Sequence, residues 1–273
     1  MSSDPSTTDY RLVARTFGGP EVIEAEPIVA GPVAAGMVRV RHKAIGVNFI
    51  DTYHRSGLYP QPLPAPLGIE AAGMIEAIGA GVSGLTIGQR VAYTGAPGAY
   101  ASWSDVPAAM LLPLPDGISE EVAAACIVKG LTAKGLIFDC ARMQAGQSAL
   151  VLAAAGGVGR LLVQWLAAIG VKVIAHAGSA AKAAIATSLG AETSLSCGFD
   201  ELAAQVRAAN GGTGVDVVFD GVGAASFTAS LDSLARRGLM ISFGNASGAV
   251  PAVAPLELMR RGSLFLTRPK LGD

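Results

Sequence analysis

The stretch that most constrains this chain is residues 148–170, SALVLAAAGGVGRLLVQWLAAIG. Residues 149–152 are short and wholly apolar, as a strand buried on both faces must be. A turn of small residues follows, Ala154-Ala155-Gly156-Gly157-Val158-Gly159. Val158, Leu161, Leu162, Trp165, Leu166 and Ile169 then recur at helical spacing, which predicts a helix with one buried face. Gly170 is placed to end it. Gly156 and Gly159 occupy the second and third positions of a dinucleotide-binding turn; Ala154 holds the first, where glycine is usual. A side chain at Gly156 would obstruct a pyrophosphate, and one at Gly159 would push helix from strand. The helix N-terminus offers N–H groups and a positive dipole end to phosphates. A tight turn in some other α/β protein is the alternative, but strand, helix and next strand in succession favour the dinucleotide site.

Downstream, strands and helices keep alternating. Residues 171–175, 192–196, 215–219, 239–243 and 263–267 read as the further strands, with an Asn210-Gly-Gly-Thr-Gly214 turn before the third of these. Six strands with crossovers give a doubly wound parallel sheet, with ligand at the strands' carboxyl ends. Upstream the pattern changes to short strands broken by Gly and Pro, which suggests a β-rich barrel or sandwich. Residues 37–43 alternate, with Val38, Val40 and His42 on one face and Arg39, Arg41 and Lys43 on the other. His42, on the apolar face, reads as a satisfied core histidine. Residues 73–79, 89–93 and 99–103 are further strands. The linker is 111–117, after which Ser119 caps a helix with Glu120 and Glu121 in its first turn.

Composition narrows the function classes. The 273 residues carry 20 Lys+Arg and 21 Asp+Glu, so no basic stripe invites nucleic acid. Mean hydropathy is high at +0.47. Gly156, Gly157, Arg160 and Gln164 nevertheless interrupt the longest apolar region, leaving no span of roughly 20 apolar residues. Residues 1–9 are polar and read as a loose tail. Three scattered cysteines, Cys126, Cys140 and Cys197, without a CxxC pair fit a reducing cytoplasm.

One other segment is aromatic and polar together: residues 46–59, followed by Pro60, Pro62, Pro64 and Pro66. Asn48, Asp51, Tyr53 and Tyr59 set hydrogen-bonding groups beside flat apolar faces, which a pocket for a planar ring needs. A surface loop with scattered aromatics is the bland alternative.

Gly146, Gln147, Leu150, Ala154, Ala155, Gly156, Gly157, Gly159 and Gln164 together resemble the signature of the quinone oxidoreductase and zeta-crystallin branch of the medium-chain dehydrogenases/reductases. Ala167 departs from it, where a basic residue or Ser is usual. Residues 46–59, Leu67-Gly68-Ile69-Glu70-Ala71-Ala72-Gly73 and Lys129-Gly130-Leu131-Thr132 resemble the same branch. The resemblance runs from about Tyr10 onward. It implies a GroES-like β-rich catalytic domain over 10–122 and a Rossmann cofactor domain over 123–273. It implies Asn48, Tyr53, Tyr59 and Thr132 as catalytic residues. For the cofactor it implies Asn48, Asp51, Thr132, Ala155, Gly156, Gly157, Val158, Gly178, Ser179, Lys182, Gly221, Phe243, Gly244, Asn245, Leu266 and Thr267. Relatives often have Tyr at Cys197 and continue beyond Arg268-Pro269 into a returning segment, so the chain reads as shortened, and reduced turnover is expected. Zinc-dependent members carry ligands where Asn48 and Ile69 stand. Independently, the Cys and His residues show no zinc-ligand spacing, so no catalytic metal is expected.

An NAD site would carry an acid about 20 residues past the glycine turn. Residues 174–182 hold none; Ser179 and Lys182 would instead meet a ribose phosphate, which points to NADPH. The expected function is NADPH-dependent, zinc-free hydride transfer to a quinone or conjugated carbonyl. Reduction of an enoyl thioester or other activated alkene is the neighbouring enzyme reading. A crystallin-like NADPH-binding protein without turnover is the reading from another class. The expected partners are small molecules and, through the apolar edge strand 263–267, a second copy in a homodimer.

Overall fold

The computed structural model describes residues 8–272. They form two compact units that divide between Val128 and Lys129. The expected tail falls outside the described residues as far as residue 7. Asp9 is not loose: Trp103 Nε1 donates to it at 2.9 Å, and Arg41 pairs with it, holding its carboxyl below the usual range.

The first unit is antiparallel throughout. Its strands are β1 (Tyr10–Ala14), β2 (Ile23–Pro27), β3 (Met37–Ile45), β4 (Ala65–Pro66), β5 (Glu70–Ile78), β6 (Arg90–Thr94), β7 (Trp103–Pro107) and β8 (Leu112–Pro113). They make sheets of order β2-β1-β4 and β7-β3-β5-β6-β8. A helix, α1 (Phe49–Ser56), interrupts the strands. The strand expected over 99–103 begins only at Trp103; before it, Ala101 makes a single bridge to Arg11. Val38, Val40, Ile75, Val91 and Tyr93 form the core.

Two predictions about β3 meet different outcomes. His42 is satisfied: Nδ1 lies 2.7 Å from Ala101 O, and a carbonyl only accepts, so Nδ1 carries the proton. Nε2 then accepts from Tyr93 OH at 3.0 Å. Burial pushes His42 below its ordinary value and Tyr93 up to about 12, so the pair stays neutral. Arg39, on the face opposite the apolar one, is 5% exposed. The facing strand explains it: Asp105 stands opposite and pairs at 2.8 Å, and the Trp103 ring lies 4.0 Å beneath the guanidinium.

Helix α2 (Glu120–Lys134) follows the linker, its start capped by Ser119 Oγ, which accepts from Val122 N–H. The unit boundary lies within it, six residues past the expected 122/123. Glu70 of β5 accepts the Val128 N–H and so ties the first part of the helix to the first unit. A π-helical turn, Gly135–Cys140, closes it, which the pattern did not show.

The second unit contains β9 (Ser148–Val151), α3 (Gly157–Ala168), β10 (Lys172–His176), α4 (Ala180–Ser188), β11 (Thr193–Leu195), α5 (Phe199–Ala209), β12 (Val215–Asp220), α6 (Phe227–Asp232), β13 (Leu234–Ser242), α7 (Pro255–Arg260) and β14 (Phe265–Thr267). Order β11-β10-β9-β12-β13-β14, all parallel, is the doubly wound sheet expected. Helix α3 buries Gly159, Leu162, Val163 and Leu166. Trp165 is displaced from the expected buried face: it is 37% exposed and packs edge-on against Phe138, 5.3 Å away. Gly170 ends the helix at φ +81°, a left-handed conformation that side chains resist.

Candidate active site

The glycine turn is made of backbone. Gly156 N–H donates to Ala153 O at 2.8 Å, and Gly156 caps α3. A Cβ at Gly159 would overlap Ala153 O and lie 2.8 Å from Ala154 Cα, so only glycine lets the helix start this close to β9. A Cβ at Gly157 would meet Lys129 Cδ at 2.9 Å, which places the lysine's methylene chain over the turn. Gly156 and Gly157 are exposed, and Ala155 and Val158 are half-buried. Here a phosphate would meet the first N–H groups of α3.

The other second-unit candidates lie at the same carboxyl edge of the sheet. After β10, Gly178 and Ser179 are exposed, and Ser179 caps α4, its Oγ accepting from Lys182 N–H at 3.4 Å. No acid stands between His176 and Lys182. His176 is buried, with Nε2 2.9 Å from Cys197 O and its ring 5.3 Å from Phe199. Burial raises the Cys197 thiol.

At the ends of β12 and β13, Gly221 and Gly244 meet so closely that a Cβ on Gly244 would overlap Gly221 O. Phe243 packs on Gly221, where a Cβ would sit 2.9 Å from the ring. Gly248 N–H donates to Asn245 O. Arg268, just past Leu266 and Thr267, donates to Ser242 O at 2.8 Å and Gly244 O at 3.1 Å, fixing this loop. Sequence reasoning did not single out Asp220. It is fully buried and accepts from Val222 N–H, Gly223 N–H, Ser226 Oγ and Ser230 Oγ at 2.7–3.1 Å. Thr132 lies on α2 past the unit boundary and is half-buried.

In the first unit the segment through α1 pairs Asn48 with Asp51 and Tyr53 with Tyr59. Asn48 caps α1; Asp51, three residues on, accepts its N–H at 2.8 Å, a capping box. Asp51 N–H also donates to the Asn48 carbonyl at 3.1 Å. Tyr53 stacks edge-on with Phe49 and with Tyr59, 5.4 and 5.1 Å between ring centres. Tyr59 N–H donates to Tyr53 O, folding the segment back on α1.

Two partners in this cluster were missed from sequence. Glu70 Oε2 accepts from Asn48 Nδ2 at 2.7 Å, and Tyr100 OH donates to Asp51 Oδ2 at 2.7 Å. Burial raises the Asp51 carboxyl, against the Tyr100 bond, and burial followed by the bond to Asp51 raises Tyr100. Tyr100 also lines a shallow apolar recess of about 250 Å³ with Ile45 and Val47. A lone acid opening the run Glu70-Ala-Ala-Gly-Met-Ile was the available signal for Glu70; Tyr100 had none.

Among the described residues no group of three or more His, Cys, Asp or Glu side chains is placed to hold a metal ion. No helix is long and apolar enough to cross a membrane, among the same residues.

Comparison with known proteins agrees with this architecture. Residues 34–116 match the alcohol dehydrogenase GroES-like domain, and residues 157–268 match the family described as zinc-binding dehydrogenase. The quinone oxidoreductase of Pseudomonas aeruginosa is 44% identical over 265 residues, covering 96% of this chain and 82% of the relative. This chain belongs to the quinone oxidoreductase family. The crystal structure of Escherichia coli quinone oxidoreductase complexed with NADPH superposes with a TM-score of 0.92 at 44% identity, covering 96% of this chain and 81% of the other. The 2-haloacrylate reductase of a Burkholderia species is 39% identical, covering 93% of this chain and 79% of that protein. Within the family, the zinc-binding description attaches to a segment that in this chain supplies no clustered metal donors.

Proposed function

We propose that this chain is an NADPH-dependent reductase that passes a hydride to a quinone, which takes up a proton to leave as the hydroquinone. The observation that carries the cofactor reading is the acid-free end of β10, where capped, exposed Ser179 and Lys182 stand beside the glycine turn. A carboxylate there would repel a ribose phosphate; a hydroxyl and an ammonium attract it. Bound NADPH supplies the hydride. The chain's own residues bind and orient. Ala155, Gly156, Gly157 and Val158 offer backbone to the pyrophosphate. Gly178, Ser179 and Lys182 take the adenosine phosphate. Gly221, Phe243, Gly244, Asn245, Leu266 and Thr267 line the nicotinamide side of the sheet edge, with Thr132 of α2. Asn48 and Asp51 supply polar contacts in the first unit, and Tyr53 and Tyr59 offer a flat wall to a planar acceptor.

NADPH oxidation with a panel of quinones tests this, run beside 2-haloacrylate, enals and enoyl thioesters. Quinones turning over fastest is the expected outcome. Preference for an alkene would establish the second reading, favoured by likeness to the haloacrylate reductase; NADPH binding without turnover would refute both.

We infer that the first unit, expected over 10–122 and dividing after Val128, is the catalytic part, and that the second unit, expected over 123–273, is the cofactor part. The exposed Phe265 on edge strand β14 supports a homodimer through that strand, and a monomer by light scattering would overturn it. Three free cysteines support residence in the cytoplasm.

A further inference from the structure

We propose that Glu70 is a positioning residue: its carboxylate sets the orientation of the Asn48 amide and ties it to helix α2. The proposal rests on the assignment of Asn48 to the reacting site made above. Glu70 opens β5, a strand flanked on both edges by β3 and β6, and is fully buried. Its two oxygens serve two different elements. Oε2 accepts from Asn48 Nδ2 at 2.7 Å, and Oε1 accepts from Val128 N–H at 2.7 Å. Its backbone carbonyl accepts from Gly46 N–H at 2.9 Å, holding the segment that leads to Asn48. Gly46 makes room: a Cβ there would overlap Glu70 Oε2 and Ala124 O.

The chemistry of the donors fixes the amide. A carboxylate only accepts, so Asn48 must turn its nitrogen toward Glu70 and its oxygen away. Val128 sits inside α2, where an N–H ordinarily serves the carbonyl four residues back; here a strand side chain accepts from it as well. Stability alone is a weak reason for such a group, because desolvating a buried carboxylate offsets most of what its bonds return. Two oxygens that both accept have a reason to be there when a reacting amide must be held in one of its two near-isosteric orientations.

Three variants of the full chain test it. In Glu70→Gln, an oxygen kept on Val128 N–H turns the new NH₂ toward the Asn48 NH₂, and the Asn48 amide must flip. Turnover should fall about tenfold to a hundredfold. The NADPH dissociation constant should change less than about threefold, since the phosphate-binding residues are elsewhere. Asn48→Asp sets two carboxylates at hydrogen-bond distance, which then share a proton. Its activity should fall as pH rises through that titration, a limb absent from the unsubstituted chain. The pair Asn48→Asp/Glu70→Gln restores acceptor against donor and leaves an oxygen where Asn48 had one. Its turnover should return to within about fivefold of the unsubstituted chain, a coupling that independent sites do not show.

Unchanged turnover in Glu70→Gln, or a double variant impaired by the product of the singles, overturns the proposal. If Glu70→Gln does not fold, the pH limb of Asn48→Asp decides. If the unsubstituted chain oxidises no NADPH with any acceptor, the functional reading fails separately. The Asn48 side-chain amide signal then decides by NMR: a downfield, slowly exchanging proton lost in Glu70→Gln supports the positioning role, and an unmoved signal refutes it.

Discussion

The glycine turn after β9 and the segment entering α1 are the two segments proposed above to meet a ligand, and they are made from different parts. The turn is backbone. Its shape follows from residues next to one another, because Gly159 must clear Ala153 and Ala154 within the same turn. The Asn48 segment is side chain. Its amide is held by Glu70, twenty-two residues on, and its capping acid by Tyr100, forty-nine residues on. A backbone site needs only small residues in the right order; a side-chain site needs partners that the fold must deliver. The end of β12 is intermediate, a backbone loop gathered around one buried acid, Asp220.

The largest effect should come from breaking that intermediate case. Asp220→Ala would remove the acceptor of two amides and of the Ser230 hydroxyl and leave Ser226 with Gly223 O alone, destabilising the second unit by about 3 kcal/mol in denaturant unfolding. Loss of under half that would show that the loop holds itself.

Next, Gly159→Ala should destabilise by about 2 kcal/mol, since its Cβ meets fixed backbone. Gly178→Ala meets nothing within 4 Å and should leave the melting temperature unmoved while weakening NADPH, because its Cβ would point into ligand space. Equal destabilisation by both would blur the distinction between a packing glycine and a binding one.

Lys182→Ala should weaken NADPH about tenfold in a binding titration and leave NADH unchanged. A shared loss would make the lysine a general electrostatic contributor rather than a reader of the ribose phosphate.

The smallest effect is in pH. Burial depresses His42 below its ordinary 6.5, so the unfolded chain binds the proton more readily. Its contribution is whole above about 6.5 and is lost as pH falls toward the lower folded value. His54 acts in the same direction; Asp51, raised by burial, acts oppositely. Unfolding of the first unit followed from pH 8 to 5 should show this acid limb, and His42→Gln should shorten it. An unchanged limb would assign it wholly to His54.

Most of the second unit was legible in advance. Parallel strands buried on both faces are continuous apolar runs, and five of the six were placed to within a few residues; the exception is β13, which starts at Leu234 and shifts register against β12. The first unit was less legible. Its antiparallel strands alternate over few residues, and β7 was displaced because residues 99–102 look like a strand yet spend their hydrogen bonds on loops and on β1 and β3.

Trp165 and Arg39 mark the same limit. Helical spacing put Trp165 inward and strand alternation put Arg39 on the charged face, and in each case a neighbour remote in sequence set the burial. The sequence by itself determined the doubly wound sheet, the glycine turn, the acid-free end of β10 and the polar-aromatic segment at 46–59, since each depends on period, size or charge over a few adjacent residues. Only the tertiary structure decided that Glu70 grips Asn48, that Tyr100 grips Asp51 and that Asp220 gathers its loop. Those are buried polar groups, and a buried polar group can be understood only with the partner that satisfies it.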